Sequence, residues 1–146
     1  MPRNLGIDYG SKRVGIAVSD PGLSMAFARR HLLNDAGLMK RIEAIVREEE
    51  ISEIVIGLPV SLSGEETPQT KETRKFAEKL DGHLRSAGLN AKLEFIDERL
   101  TSRMAEAGVL EAVVRKGKRR DKGLVDELSA QIILQNYLDM KKNQRL

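Results

Sequence analysis

The segment that decides the fold is Gly6-Ile7-Asp8-Tyr9-Gly10-Ser11-Lys12-Arg13-Val14-Gly15-Ile16-Ala17. On both sides of Gly10, apolar side chains occupy every second position, which is the period of a strand with one buried face. This pattern predicts strands over residues 3–9 and 13–19, joined by a turn at residues 10–13. A third strand, over about residues 24–31, follows the turn signal Pro21-Gly22. We therefore expect the chain to open with three antiparallel strands.

After residue 34 the apolar period changes to that of helices that alternate with strands. The predicted elements are, in chain order, a helix over residues 35–50 capped by Asn34 or Asp35, a buried strand at Ile54, Val55 and Ile56, a helix from Thr67 to near Gly88, a strand over residues 91–97, a helix from Thr101 to about Val114, and a helix over residues 124–140. This order predicts an α/β protein with a five-stranded mixed sheet, in which three antiparallel strands precede alternating strands and helices, and helices flank the sheet.

The composition limits the classes of function. With 146 residues, of which 40% are apolar, the chain suits one globular domain over residues 1–146. It has no cysteine, which excludes disulfides, thiolate metal sites and cysteine nucleophiles. Its apolar runs are far shorter than the roughly 18 residues of a membrane helix, so we expect no membrane association. No apolar leader with a cleavage site precedes Asp8, which favours a cytoplasmic protein.

Two of the candidate site acids lie on predicted strands. Asp8 stands between Gly6 and Gly10, where a charge within a sheet needs a cation or hydrogen-bond partners, although Asp8 could instead cap the turn. Asp97 and Glu98 end the fifth strand, and strand alternation directs only one of them towards any given face. The residues alone leave the choice between these two acids open.

The third candidate acid, Asp126, begins an apolar stripe on the last predicted helix. The same stripe contains Ala130, Ile133 and Tyr137, so Asp126 is expected to face the sheet, although the helix macrodipole also favours an acid in the first turn. Acids brought together from two strands and a helix would repel one another by about 4 kcal/mol per pair at 4 Å with an effective dielectric of 20. Mg²⁺ or Mn²⁺ would remove that repulsion and supports phosphodiester cleavage.

Positive charge is concentrated towards the end of the chain. Residues 115–122 hold six basic residues and one acid, against a net charge of +3 for the whole chain, and the basic residues are Arg115, Lys116, Lys118, Arg119, Arg120 and Lys122. Such a segment suits the phosphate backbone of a nucleic acid, and a solvated loop is the alternative. Aromatic residues make up only 3% of the chain, so base stacking has little material.

Other catalytic patterns are weak or absent. The two histidines, His31 and His83, are not arranged as part of a recognisable triad, and His83 fits a helix face. Gly10 and Gly15 have the spacing of P-loop glycines, but Ile16 and Ala17 stand where a lysine and a serine or threonine would be needed.

Several motifs in register resemble the YqgF/RuvX family, the Holliday-junction-resolvase-like nucleases of the ribonuclease H-like superfamily. After the opening segment, the matching motifs are Gly57-Leu58-Pro59 with Gly64, Phe76-Ala77, Asp97-Glu98-Arg99-Leu100-Thr101, and Asp126 followed by Ala130, Ile133-Leu134-Gln135 and Tyr137-Leu138. The resemblance covers almost the whole chain. It implies a ribonuclease H-like fold with Asp8, Glu98 and Asp126 as the metal-binding catalytic acids, and it decides for Glu98 over Asp97.

The same resemblance implies a cytoplasmic nuclease that processes the 5′ end of the precursor of 16S ribosomal RNA, with possible ribosome association, or one that resolves four-way DNA junctions. Lys12, Arg13 and Arg99 are expected to contact phosphate, together with the basic residues of the 115–122 segment. Ser129 stands where the related resolvases carry a second helix acid, so a full site for two Mg²⁺ or Mn²⁺ ions would need Asp97 or Asp121. The alternative is one firmly held ion, with the second arriving with the substrate phosphate.

Two other classes of function stay open at this stage. A non-catalytic RNA-binding or ribosome-assembly factor could use the same scaffold, because one fold hosts many functions. An Asp-x-Gly hairpin also opens the actin-like sugar kinases and ATPases, but those proteins need two such domains, and 146 residues hold only one.

Overall fold

The computed structural model describes residues 2–98 and 122–144. The strands are β1 (Arg3–Tyr9), β2 (Arg13–Ser19), β3 (Ala26–Leu33), β4 (Ile51–Leu58) and β5 (Lys92–Asp97). The helices of this part of the chain are α1 (Leu38–Glu48), α2 (Pro68–Ser86) and α3 (Lys122–Gln144), and none of these three is long and apolar enough to cross a membrane. The predicted helix from Thr101 to Val114 and the basic segment as far as Asp121 lie outside the described residues.

The five strands form one mixed sheet in the order β3-β2-β1-β4-β5. The first three strands pair antiparallel, whereas β4 runs parallel to β1 and β5 runs parallel to β4. The carboxyl ends of β1, β4 and β5 therefore meet at the same edge of the sheet. The predicted α/β fold and the mixed sheet are confirmed.

Strand alternation divides the apolar residues between two cores, one on each face of the sheet. On one face, aliphatic side chains such as Leu5, Ile7 and Ile54 pack against buried residues of α1 and α2. On the other face, α3 packs against a core of smaller strand residues, which includes Ala17 and Val55. The α3 residues Ala130, Ile133 and Tyr137 are buried there, so the apolar stripe predicted for the last helix does face the sheet.

Two element boundaries differ from the prediction because short polar residues form turns there. The carboxylate of Asp20 accepts hydrogen bonds from the backbone N–H groups of Ser24 and Met25, so β3 begins at residue 26 instead of 24. Asp35 likewise accepts from the N–H of Gly37, and α1 begins only after Gly37, three residues later than predicted.

The predicted helix caps have different outcomes. Neither Asn34 nor Asp35 caps α1, and the amide of Asn34 instead donates to the carbonyl oxygen of Gly10, 2.8 Å away, which ties the residues before α1 to the β1–β2 turn. Helix α2 begins as predicted, with Thr67 as its N-cap and a proline in its first turn. In this cap the hydroxyl of Thr67 accepts from the N–H of Thr70, and the hydroxyl of Thr70 accepts from the N–H of Thr67.

Candidate active site

The three predicted site acids are placed by two strands and a helix. Asp8 lies one residue before the end of β1, and Glu98 follows the last residue of β5 at the same edge of the sheet. Asp126 lies near the start of α3, which covers the face of the sheet that Gly6 and Gly15 share with Asp8. The three acids thus come from two strands and a helix, as the sequence predicts.

Asp8 and Glu98 form a carboxyl pair joined by a side-chain hydrogen bond, and a hydrogen bond between two carboxyl groups needs one proton. Burial raises the pKa of Asp8 to about 8, and the charge of Glu98, the hydrogen bond to Glu98 and the charge of Asp126 act in the same direction. Burial also raises the pKa of Glu98, with a smaller contribution from the charge of Asp97. The pair therefore holds one proton at neutral pH.

Glu98, rather than Asp97, is the acid that meets Asp8. Its side chain lies over Gly57 of β4, because a Cβ atom added to Gly57 would come within 2.7 Å of Glu98 Oε1. A larger residue at position 57 would therefore push Glu98 away from Asp8. The choice between the two acids, which the residues alone leave open, is made by strand alternation at the end of β5.

Asp126 is held by a basic residue from the neighbouring strand. Arg13 Nε lies 3.0 Å from Asp126 Oδ2, and the two side chains are about equally half-buried. Asp126 is near enough to raise the pKa of Asp8, but its carboxylate is turned to Arg13. Within residues 2–98 and 122–144, no three Asp, Glu, His or Cys side chains converge closely enough to hold a metal ion. The described site is thus a carboxyl pair with a third, ion-paired acid beside it.

Glycine allows the start of α3 to lie directly on the sheet. A Cβ atom added to Gly15 of β2 would lie 2.1 Å from the backbone oxygen of Asp126, and one added to Gly6 of β1 would lie 2.7 Å from the Cβ of Leu134. Any other residue at these two positions would force the helix outward. Gly6 and Gly15 therefore set the distance between the start of α3, which carries Asp126, and the strand that carries Asp8.

Comparison with known proteins agrees with this fold. A family model described as RuvX, Holliday junction resolvase, matches residues 2–140. The chain belongs to the RuvX family. This membership confirms the family predicted from the motifs, and since the family is one of nucleases, it also confirms the prediction of a nuclease.

Two curated proteins are similar to this chain over nearly its whole length. Both are named "Putative pre-16S rRNA nuclease". The one from Sulfurihydrogenibium sp. (strain YO3AOP1) is 42% identical over 139 residues, which cover 95% of this chain and 91% of the relative. The one from Porphyromonas gingivalis is 43% identical over 139 residues, which cover 95% of this chain and 97% of the relative.

A solved structure supports the ribonuclease H-like fold. The structure of Thermus thermophilus RuvC in complex with a Holliday junction substrate superposes with a TM-score of 0.60 at 11% sequence identity, over 98% of this chain and 97% of RuvC. At this identity the likeness concerns the fold, and the fold prediction is confirmed.

Some of the basic residues predicted to contact nucleic acid lie within the described part of this RuvX-family chain, and others do not. Lys12 lies exposed in the β1–β2 turn, and Arg13 is half-buried against Asp126. Lys122 is the first residue of α3. The remaining predicted cations lie outside the described residues: Arg99, Arg115, Lys116, Lys118, Arg119 and Arg120.

One contact beside the site of this RuvX-family chain was not predicted. Glu127 follows Asp126 in α3, and its carboxylate Oε2 accepts from the backbone N–H of His31 at 3.0 Å and lies 2.8 Å from His31 Nδ1. The contact fastens the start of α3 to β3, where the β2–β3 register shifts between Val14 and Ile16. The contact joins residues 96 positions apart, so no local pattern in the sequence reveals this anchor.

A second unpredicted set of contacts joins α2 both to the end of β1 and to the loop after β4. Gln69 Nε2 donates to the carbonyl oxygen of Tyr9 at 3.3 Å, and the hydroxyl of Thr70 donates to the carbonyl oxygen of Pro59. The ring of Tyr9 stacks on Phe76 with 4.3 Å between the ring centroids. These contacts fix the end of the strand that carries Asp8.

Proposed function

We propose that this chain is a divalent-metal-dependent nuclease that acts as a single domain over residues 1–146 in the cytoplasm. Its proposed substrate is the precursor of 16S ribosomal RNA, in which it hydrolyses a phosphodiester bond at the 5′ end, in association with the assembling ribosome. The observation that carries this proposal is the partly buried, desolvated Asp8–Glu98 carboxyl pair, with Asp126 beside it, at the strand ends. The name of the curated relatives supports the choice of RNA substrate.

The chemistry of the donor set fits a hard divalent cation. Asp8 and Glu98 offer only carboxylate oxygens, which Mg²⁺ and Mn²⁺ prefer as ligands. The two groups lie within hydrogen-bond reach of each other in a desolvated place, where they must share a proton or a cation. Asp8 and Glu98 would hold the ion, with Asp126 completing its shell. Such an ion, when bound, lowers the pKa of a water molecule and stabilises charge on the phosphate.

The residues of the chain supply the orientation that this chemistry requires. Asp8 is fixed by its pairing within the sheet, and Glu98 is fixed by the space that Gly57 leaves open. Both groups therefore approach the reacting phosphate from rigid elements rather than from long loops. Lys12, exposed in the β1–β2 turn, and Arg13, which contacts Asp126, would neutralise the substrate backbone. Arg99 and the 115–122 segment would hold flanking nucleic acid.

A second candidate substrate is a four-way DNA junction. The family model carries the description Holliday junction resolvase, and the RuvC structure of the same fold holds a junction. A resolvase makes two symmetric cuts, which requires two active sites in a dimer. A protein that is monomeric in solution would therefore count against this alternative.

The proposed function is tested by cleavage of two labelled substrates, a 16S rRNA precursor and a four-way DNA junction. Wild type and Asp8→Asn are each incubated with Mn²⁺, Mg²⁺ or EDTA. The proposal predicts that only wild type with a divalent metal cuts the RNA at its 5′ end. Metal-dependent cutting of the junction alone would favour the resolvase. If both proteins bind RNA and neither cuts it with any metal, the chain is a non-catalytic RNA-binding factor.

A further inference from the structure

Arg13 forms an ion pair with Asp126, the site acid that is not part of the Asp8–Glu98 pair. Its Nε donates to Asp126 Oδ2 at 3.0 Å, across 113 residues of sequence. Arginine keeps its positive charge at any pH that a protein tolerates, so this contact is a permanent ion pair while the two groups touch. The charge that Asp126 would offer to a divalent cation is therefore already neutralised by a side chain of the same protein.

The position of Arg13 in the sheet brings its guanidinium towards the pair as well. Gly15 lies opposite Asp8 in the β1–β2 register, and Arg13 precedes Gly15 by two residues, so both share the face on which Asp8 and Asp126 lie. A divalent cation on Asp8 and Glu98 would repel this guanidinium and attract Asp126 at the same time. The two cations compete for one carboxylate.

We propose that Arg13 is an internal counter-ion, which pairs with Asp126 while no divalent cation is bound. When the cation binds, it displaces Arg13 from Asp126, and Arg13 then binds the substrate phosphate. This inference rests on the proposed function, since it assumes a divalent cation at Asp8 and Glu98. The exchange keeps the number of charged contacts unchanged, because Arg13 leaves one anion for another. The planar guanidinium suits a phosphate, whose two oxygens it binds with parallel N–H groups.

Such an exchange predicts opposite effects on the two ligands of the site. Without Arg13, a divalent cation meets no competitor at Asp126 and binds more tightly, whereas RNA loses a phosphate contact and binds more weakly. A residue that merely supports the structure would weaken both. The sign of the two changes therefore distinguishes an exchanging counter-ion from a structural ion pair.

The test is calorimetric titration of wild type, Arg13→Gln, Arg13→Lys and Arg47→Gln with Mn²⁺. Arg47→Gln is the matched control, because it removes the same charge from an arginine of α1 whose Nε also lies 3.0 Å from a carboxylate oxygen, that of Glu43. We expect Arg13→Gln to bind Mn²⁺ about fivefold more tightly than wild type, the upper range for a partly exposed ion pair, and Arg47→Gln to change the affinity less than about twofold. Arg13→Lys keeps the charge and should stay within about threefold of wild type.

Binding of the RNA precursor is measured on the same four proteins in EDTA and in a divalent ion that does not support cleavage, such as Ca²⁺. We expect Arg13→Gln to weaken RNA binding only when the divalent ion is present, because only then has Arg13 left Asp126. Equal or weaker Mn²⁺ binding by Arg13→Gln would overturn the proposal, and so would a loss of RNA affinity that is the same in EDTA.

The failure of this inference can be told apart from the failure of the proposed function. Titration of Asp8→Asn with Mn²⁺ is included for that purpose. If Asp8→Asn loses Mn²⁺ binding but Arg13→Gln binds Mn²⁺ as wild type does, only the counter-ion proposal is overturned. Mn²⁺ binding that is the same in wild type and Asp8→Asn overturns both, because the ion then does not lie on the carboxyl pair.

Discussion

The two faces of the sheet differ in the size of the residues that line them. The face towards α1 and α2 carries large aliphatic side chains such as Ile7, Ile16 and Ile54. The face towards α3 carries glycine at three strand positions, Gly6, Gly15 and Gly57, where the helix or Glu98 approaches the strand backbone. Burial of the large side chains supplies hydrophobic stability, whereas the small residues allow the acids to meet. Both faces bury apolar residues, but the larger side chains lie on the face towards α1 and α2, and the candidate site lies on the face towards α3.

The largest effect that this comparison predicts is on cleavage by a variant of the α3 face. Glu98→Gln should lower metal-dependent cleavage by at least about 10³-fold, because it removes one of the two carboxylates of the pair. Asp97→Asn is the matched control, since it neutralises the adjacent acid of the same strand end and should stay within about tenfold of wild type. Single-turnover cleavage rates measure both. Equal losses in the two variants would contradict the assignment of Glu98.

A variant of the opposite face should reverse the pattern. Ile54 is fully buried in the core against α1 and α2, and Ile54→Ala should lower the free energy of unfolding by about 3–4 kcal/mol. Urea denaturation measures this loss. Without urea, and at a temperature where the variant is folded, its cleavage rate should remain within about twofold of wild type. A cleavage loss comparable to that of Glu98→Gln would break the separation of the two faces.

A third variant probes the height of α3 above the sheet. Gly15→Ala places a methyl group on the backbone oxygen of Asp126, and the helix must shift, at an expected cost of about 2–3 kcal/mol in the free energy of unfolding. Gly82→Ala is the control, because a Cβ atom there meets nothing within 4 Å on the exposed side of α2. The control should stabilise the protein by about 0.5–1 kcal/mol, as expected for alanine in a helix. Similar changes from both substitutions would show that α3 does not depend on close approach.

The smallest predicted effect is the pH dependence of stability without divalent metal. The pKa of Asp8 in the folded protein, about 8, lies above its ordinary value of 3.8, so the folded state keeps a proton that the unfolded state has lost. The unfolding free energy contributed by this group therefore falls as the pH rises from about 4 to about 8. Relative to Asp8→Asn, wild type should lose unfolding free energy between pH 5 and pH 8 in EDTA, measured by urea denaturation. A constant difference between the two proteins would show that Asp8 does not share a proton.

The sequence predicted the fold well because the apolar period of two identifies strands and their buried face directly. It placed β1, β2 and α2 within a residue or two of their observed bounds. It misplaced the start of α1 and of β3, because Asp35 and Asp20 bind backbone N–H groups and form turns that the apolar period does not report.

The candidate site was predicted only as far as strand alternation and family resemblance reach. Alternation aligned Asp8 with the glycines of its face, and the motifs selected Glu98. The pairs Arg13–Asp126 and His31–Glu127 depend on how α3 lies across the sheet, which is set by Gly15 and by the register shift in β2. No local pattern in the sequence encodes the position of a helix relative to a strand more than 90 residues away.

The central claim is that one proton on the Asp8–Glu98 pair stands where a divalent cation binds. The most direct test is the number of protons released when Mn²⁺ binds to wild type, measured by calorimetry in buffers of different ionisation enthalpy. With a pKa of about 8 for Asp8, the account predicts release of roughly one proton per ion at pH 7 and only a small fraction of one at pH 9. Mn²⁺ binding at pH 7 without proton release, or with the same release by Asp8→Asn, would contradict it.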